Sequence, residues 1–312
     1  MTPGTLVGRR YRVRERLAKG GMAEVWIAVE DASGVEVVVK TPRTSAMMRK
    51  DLLAMFEREG KLLSRIQSEY VARFHGYFKE ENRPFIVIER LVGETLGERL
   101  KRQHVLTLAD LGPIVDNVLI ALNDAHGASV LHRDLSPDNV FLCGKPEIAK
   151  LIDFGIGKPL NDPEPMTPAD ATMGSFAYMA PEQWLDPSKV DARTDLYALG
   201  TIVFRALTGS LPFPEKNAIR LLTLKRDFDA PSIGEVTRAP YPSSVSAFVA
   251  KSLARNREDR YDTAQAMLEA WRNVFSASAW TAPTISVLDD DAAIDTGDTT
   301  ATMTRPKQKR KT

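Results

Sequence analysis

The tightest constraint on this 312-residue chain is a pair of short apolar runs, Val140-Phe141-Leu142-Cys143 and Ile148 to Ile152, separated by Gly144-Lys145-Pro146. Apolar, β-branched residues on both sides of a Gly/Pro break predict a hairpin. Asn139 stands just before the first arm and Asp153 just after the second, so both side chains emerge at one end of it. An amide and a carboxylate there are hard oxygen donors, suited to Mg²⁺, which keeps several waters and takes few protein ligands. Upstream, Val130-Leu131-His132-Arg133-Asp134-Leu135-Ser136-Pro137-Asp138 supplies a second carboxylate, Asp134, standing apart and placed to orient a hydroxyl. Taken singly, Asn and Asp are ordinary turn residues. Only the ordered set carries chemistry.

That set, His132-Arg133-Asp134-Leu135 with Asn139, then Asp153-Phe154-Gly155, resembles the catalytic-loop and metal-binding signatures of eukaryotic-like protein kinases. The resemblance covers roughly Tyr11 to Phe275, and Tyr178-Met179-Ala180-Pro181-Glu182-Gln183 looks most like the bacterial serine/threonine kinases. It implies an α+β, two-lobed fold over 11–275: an N-lobe to about 91 with an antiparallel sheet and one helix, then a larger, mainly helical C-lobe. Residues 1–10 are expected as an extension and 276–312 as a disordered tail. The implied reaction is transfer of the γ-phosphoryl group of ATP to serine or threonine hydroxyls of proteins, autophosphorylation included. By the same resemblance Asn139 and Asp153 hold Mg²⁺ (or Mn²⁺), Lys40 pairs with phosphates, and Asp134 accepts or orients the hydroxyl proton. The rival reading is a pseudokinase that binds nucleotide or partner proteins without turnover.

In the N-lobe, Tyr11, Val13 and Leu17 alternate with Arg12, Arg14 and Arg16, and alternation resumes at Ala23, Val25, Ile27 and Val29. Strand, glycine turn, strand is a frame in which backbone N–H groups can close over phosphates. Compared with the kinase lid, Leu17-Ala18-Lys19-Gly20-Gly21-Met22-Ala23-Glu24-Val25 keeps only the middle glycine, Gly20, with Ala18 and Ala23 in the outer places; a stiffer lid is expected. Val35 to Val39 is the next strand, ending in Lys40, and Val38 stands where the family usually has alanine near the adenine. Leu52, Phe56, Leu63 and Ile66 form a helical stripe, and Glu59 lies inside it. A buried carboxylate needs a partner, and the resemblance names Lys40. Gly60 is expected to leave that helix easily shifted, since glycine costs roughly 1 kcal/mol relative to alanine. Phe85 to Ile88 is a further strand, leading through Glu89 to Leu91 into the segment that resembles the adenine hinge. Ile88 is expected at the back of the pocket, and Leu142 is carried over as a further nucleotide contact.

In the C-lobe, Thr107 with Asp110 reads as a helix start, and Leu111, Ile114, Val115, Val118, Leu122 and Ala125 as the helix. Ser136 occupies the place where serine/threonine kinases usually carry a lysine, so reduced turnover or altered substrate geometry is expected, not a dead enzyme. Ile156 to Met173 reads as a polar loop holding two candidate phosphosites, Thr167 and Thr172, whose phosphates could dock on Arg133. The stretch Gly174 to Glu182, with Ser175 beside the acceptor site, resembles the end of the kinase activation segment, where peptides dock. Asp195, in the first turn of an almost wholly apolar helix, is implied to hold the catalytic loop, and Arg260 to pair with Glu182.

A net charge of +1 gives no basic excess for nucleic acid or a membrane surface. Cys143 is the single cysteine and lies in an apolar run, so no intrachain disulfide forms and packing is its expected role. With no apolar stretch near the ~20 residues a bilayer span needs, and an N-terminus unlike a signal peptide, a cytoplasmic location is expected. Oligomeric state stays open, a transient dimer included.

Overall fold

The computed structural model describes residues 1–19, 23–154 and 176–276. Gly20, Gly21 and Met22 of the lid, Gly155, Thr167, Thr172, Ser175 and the tail beyond residue 276 lie outside them. Six antiparallel strands form the first sheet, in the order β1-β2-β3-β4-β6-β5: β1 (Leu6–Val7), β2 (Tyr11–Lys19), β3 (Ala23–Glu30), β4 (Glu36–Pro42), β5 (Phe74–Glu80) and β6 (Arg83–Glu89). Within residues 1–10, Leu6 and Val7 pair with β2. Val7 is buried in the same apolar cluster as Tyr11, Val13, Trp26 and Phe85, so the sheet begins ahead of residue 11. In β2 the pairing with β3 shifts between Val13 and Glu15 and again between Arg16 and Ala18, which breaks the alternation and leaves Leu17 half-buried.

The two-residue period of β4 sorts its side chains. Val37 and Val39 join the outer cluster with Val87, while Lys40 turns to the other face, toward Ile86 and Ile88 of β6. Helix α1 (Lys50–Leu63) lies on that inner face, burying Leu52, Phe56, Glu59 and Leu63. Ile66 falls beyond the helix end, in the following turn, though it still packs on the main core. Gly60 has a packing reason: a Cβ there would meet the Tyr77 ring of β5 at 2.6 Å.

The expected hairpin is present as β8 (Val140–Cys143) and β9 (Ile148–Leu151), with β7 (Gly93–Thr95) alongside. It is tied to the first lobe by main-chain bonds, Ala72 N to Leu151 O at 2.9 Å and Leu151 N to Tyr70 O at 2.8 Å. Beneath it lie α2 (Leu96–Gln103) and α3 (Leu108–Gly127), then α4 (Glu182–Leu185), α5 (Ala192–Thr208), α6 (Ala218–Asp227), α7 (Ile233–Thr237), α8 (Ser243–Ser252) and α9 (Ala264–Ser276). Helix α3 starts where expected, Thr107 Oγ1 accepting from Asp110 N at 3.1 Å. Helix α5 buries most of its circumference and ends at Gly209 in the left-handed conformation, φ 77°. Cys143 packs with Ala72, Leu91 and Phe141, and burial pushes its thiol above the ordinary value, as a packing role requires.

Candidate active site

Lys40 is reached from two sides. Its Nζ lies 2.9 Å from Glu59 Oε1, brought in by α1, and 3.4 Å from Asp153 Oδ1, at the end of β9. Burial alone would push the ammonium down, but the carboxylates of Asp153 and Glu59 outweigh it and hold its pKa above the ordinary lysine range. Ile86, Ile88, Leu63, Val71, Leu151 and Phe154 wall the space around this group.

The hairpin brings its two ends together: Ile152 N donates to Asn139 O at 3.0 Å, setting Asn139 beside the residue that precedes Asp153. Asn139 Nδ2 donates to the carbonyl of Asp134 at 2.7 Å. That bond orients the amide and leaves its oxygen as the remaining acceptor. Asp153 has φ +49° and Arg133 φ +63°, left-handed backbone in residues with a Cβ. Such conformations cost on the order of 1–3 kcal/mol each and persist only where the surroundings impose them. Here the surroundings do: Asp195, buried in the first turn of α5, accepts from His132 N at 2.9 Å, Arg133 N at 2.8 Å and pairs with His126 Nε2 at 2.8 Å. His132 in turn contacts Ile152 O through Nε2 at 3.1 Å and stacks against Phe154, ring centres 4.5 Å apart. The two polar breaks in the sequence are thus one hydrogen-bonded unit.

The sequence profile of the protein kinase domain matches residues 11–272. The chain belongs to the protein kinase family. It is 32% identical over 273 residues to serine/threonine-protein kinase pkn3 of Myxococcus xanthus, covering 84% of this chain and 49% of that protein. It is 30% identical over 278 residues to a probable serine/threonine-protein kinase PknB of Bifidobacterium longum, covering 84% of this chain and 39% of the relative. The chain therefore spans about half, or less, of the length of the curated relatives it matches. The crystal structure of the Mycobacterium tuberculosis PknI kinase domain has the same fold, with a TM-score of 0.69 at 21% identity, covering 88% of this chain and 99% of that one. Among the described residues no helix is long and apolar enough to cross a membrane.

The remaining expected residues of this kinase domain fall as follows. Val38 is buried opposite Ile88, and Val25 pairs in register with Lys40. Leu142 and Leu91 are buried in the hairpin's surroundings. Glu89 accepts from Lys150 Nζ at 2.8 Å and from Arg73 N at 3.0 Å, so its side chain braces the connection between the lobes. Ala18, Lys19, Ala23 and Glu24 flank the lid, with Ala18 opposite Val25 and Lys19 opposite Glu24. Arg260 meets Glu182 in a buried two-pronged pair at 2.7 and 3.0 Å, and Thr194 Oγ1 adds a bond to Glu182 at 3.0 Å. Ser136 is buried, at the turn into Pro137.

Several residues with positions to match were missed in the sequence. Gln183 Nε2 donates to Arg133 O at 2.8 Å while its Oε1 accepts from Ala180 N at 3.0 Å, hooking the segment before α4 to the catalytic loop. Burial, and after it the nearby charge of Arg58 of α1, lowers the Arg133 pKa from its ordinary value. Arg133 Nε is buried without a hydrogen-bond partner among the described residues. Lys225 of α6 is 3% exposed, and burial pushes its pKa down to about 7. The signal for Lys225 was available: like Glu59, it continues a helical apolar stripe, here from Leu221 and Leu222.

Proposed function

We propose that this domain transfers the γ-phosphoryl group of ATP to serine and threonine hydroxyls of proteins, its own chain included. The observation that carries the reading is the position of Lys40 between Glu59 and Asp153, at 2.9 and 3.4 Å. Phosphoryl transfer asks the protein mainly for positioning and electrostatics, and a lysine held charged at the back of a cleft supplies both for phosphate oxygens. The oxygens of Asn139 and Asp153 suit a hard divalent cation. They would hold Mg²⁺, or Mn²⁺ in its place, and the bound metal would neutralise charge on the phosphates. Asp134 takes the proton of the incoming hydroxyl, or orients it, and its main chain is fixed by Asn139.

Residues 176–182 form the platform for the protein substrate, and Gln183 keeps that platform in step with Asp134 by holding the carbonyl of Arg133. The neighbouring cations Arg58 and Arg133 favour a phosphate, so a phosphorylated Thr167 or Thr172 would dock on them. The test is incubation of purified protein with labelled ATP and Mg²⁺, with and without added protein substrates, beside Asp134→Asn and Lys40→Met. Label on serine or threonine of the wild type alone supports the reading. Absence of label on every form, with every substrate, leaves the pseudokinase scaffold.

A further inference from the structure

Lys225 is the one buried lysine among the described residues, and its setting is specific. Its Nζ donates to the carbonyls of Phe176, Ala177 and Met179 at 3.1, 2.8 and 2.7 Å. A lysine ammonium has three N–H donors and no acceptor, so each donor has one carbonyl. The rest of its surroundings is apolar or already paired. The Tyr197 ring of α5 lies 5.6 Å away, and Phe176, Met179, Phe213 and Leu221 form one buried cluster. The nearby charges, Glu182 and Arg260, satisfy each other at 2.7 Å.

Three carbonyls from four consecutive positions turn to one point, the Lys225 Nζ. Among the described residues the segment pairs with no strand, and the main-chain bond within it is Met179 N to Phe176 O at 3.3 Å. Carbonyls left buried without a donor would each cost roughly 1–3 kcal/mol. The Lys225 Nζ therefore acts as a shared donor around which the three carbonyls gather. The loop so formed leads directly into Ala180, which Gln183 bridges to Arg133, the residue next to Asp134.

We propose that Lys225 is a positioning residue for the protein substrate: it sets the shape of residues 176–179, the platform on which the acceptor segment lies, relative to Asp134. This rests on the kinase reading above. It also distinguishes two substrates of one reaction, because among the described residues the hydrogen bonds of Lys225 go to residues 176–179 and those of Lys40 to Glu59 and Asp153. Loss of the ammonium should weaken the peptide side and spare the ATP side.

The experiment measures KM for ATP and KM for a serine/threonine peptide or protein substrate separately, in the full chain, for wild type, Lys225→Met and Lys225→Gln. Glutamine keeps two donors without the charge, and serves as the readable variant should the methionine form not fold. The expected result is a rise of tenfold or more in the substrate KM for Lys225→Met, a smaller rise for Lys225→Gln, and a KM for ATP within twofold of wild type in both. A folded variant whose substrate KM stays within twofold of wild type, or whose two KM values rise together, overturns the inference while the kinase reading stands. A wild type that transfers no phosphate overturns both.

Discussion

Gly60 in α1 faces the ring of Tyr77 in β5 so closely that a Cβ on the glycine would lie 2.6 Å from Cδ2 and 2.8 Å from Cγ. The residue next to it, Glu59, makes the pair with Lys40. The glycine is thus what lets the helix come down far enough for its carboxylate to reach the cleft. Alanine at this position would gain roughly 1 kcal/mol of helix propensity, yet overpacking of this kind typically costs about 1–3 kcal/mol. Gly60→Ala is expected to lower the melting temperature and the phosphorylation rate together. In a Tyr77→Ala background the same change should become neutral or stabilising. If Gly60→Ala is equally harmful with and without the ring, the close approach is not the reason for the glycine.

The buried pair of Arg260 and Glu182 joins the first residue of α4 to the chain between α8 and α9. Arg260 also donates to the carbonyls of Ala254 and Arg255, at 2.8 and 3.1 Å, so with the Glu182 bonds four hydrogen bonds hold its guanidinium. Removing one partner strands a charge without solvent, which costs about 3–5 kcal/mol. Arg260→Met should therefore destabilise by about that much, and adding Glu182→Gln should recover part of the loss, because the stranded charge is gone. Denaturant unfolding of the two singles and the double checks this. Strictly additive losses would show that the two side chains do not depend on each other.

Asp195 predicts a pH dependence of stability. Burial alone would raise its carboxyl, but the bond to His126, the nearby His132 and the amide of Arg133 more than offset that and hold its pKa below the ordinary carboxylate range. A carboxyl depressed in the folded state adds stability that is present in full above its unfolded pKa, near 4, and is lost as the pH falls through the folded value. Asp195→Asn should thus be less stable than wild type by about 2–3 kcal/mol at pH 7, the scale of hydrogen bonds to a charged acceptor. That gap should narrow as the pH drops below about 4. A gap that stays constant down to pH 3 would mean the carboxylate's charge is not what holds the catalytic loop.

Much of this site was legible because its chemistry interrupts a pattern. Glu59 stood out as a carboxylate inside an apolar stripe, and Asn139 and Asp153 as the polar ends of a hairpin. Periods of 3.6 and 2 fix which face of its own element each side chain takes, whereas the meeting of Lys40 with Glu59 was implied by the kinase resemblance. What was not legible depends on contacts across long separations. Gln183 gives no hint in its own neighbourhood that its amide spans the main chains of Ala180 and Arg133. The three carbonyls under Lys225 are backbone atoms, identical at every position in the sequence, and only the fold turns them to one point. Val7 was set outside the domain because two residues are too few to show a strand's alternation, and its burial comes from the sheet edge it completes. Gly60 was read for propensity alone, since the Tyr77 ring that requires it lies on another element.

Ser136 offers the most direct test of how the cleft handles charge. It is buried between Leu135 and Pro137, two positions after Asp134, where the resembling kinases place a cation that reaches the γ-phosphate. A hydroxyl can donate one hydrogen bond but adds no charge, so under the proposed reaction the negative charge of the transferring phosphoryl would rest more heavily on Lys40 and on a divalent metal. A cation acting only on the transferring group raises kcat without tightening the binding of ATP or substrate. Ser136→Lys is therefore expected to raise kcat by about tenfold, equivalent to about 1.4 kcal/mol of barrier, with both KM values within about twofold. Single-turnover kinetics with labelled ATP would show the gain in the chemical step itself. An unchanged rate in a folded Ser136→Lys protein would mean that the serine is not the cause of any deficit in turnover, and that Lys40 and the metal already supply the charge the reaction needs.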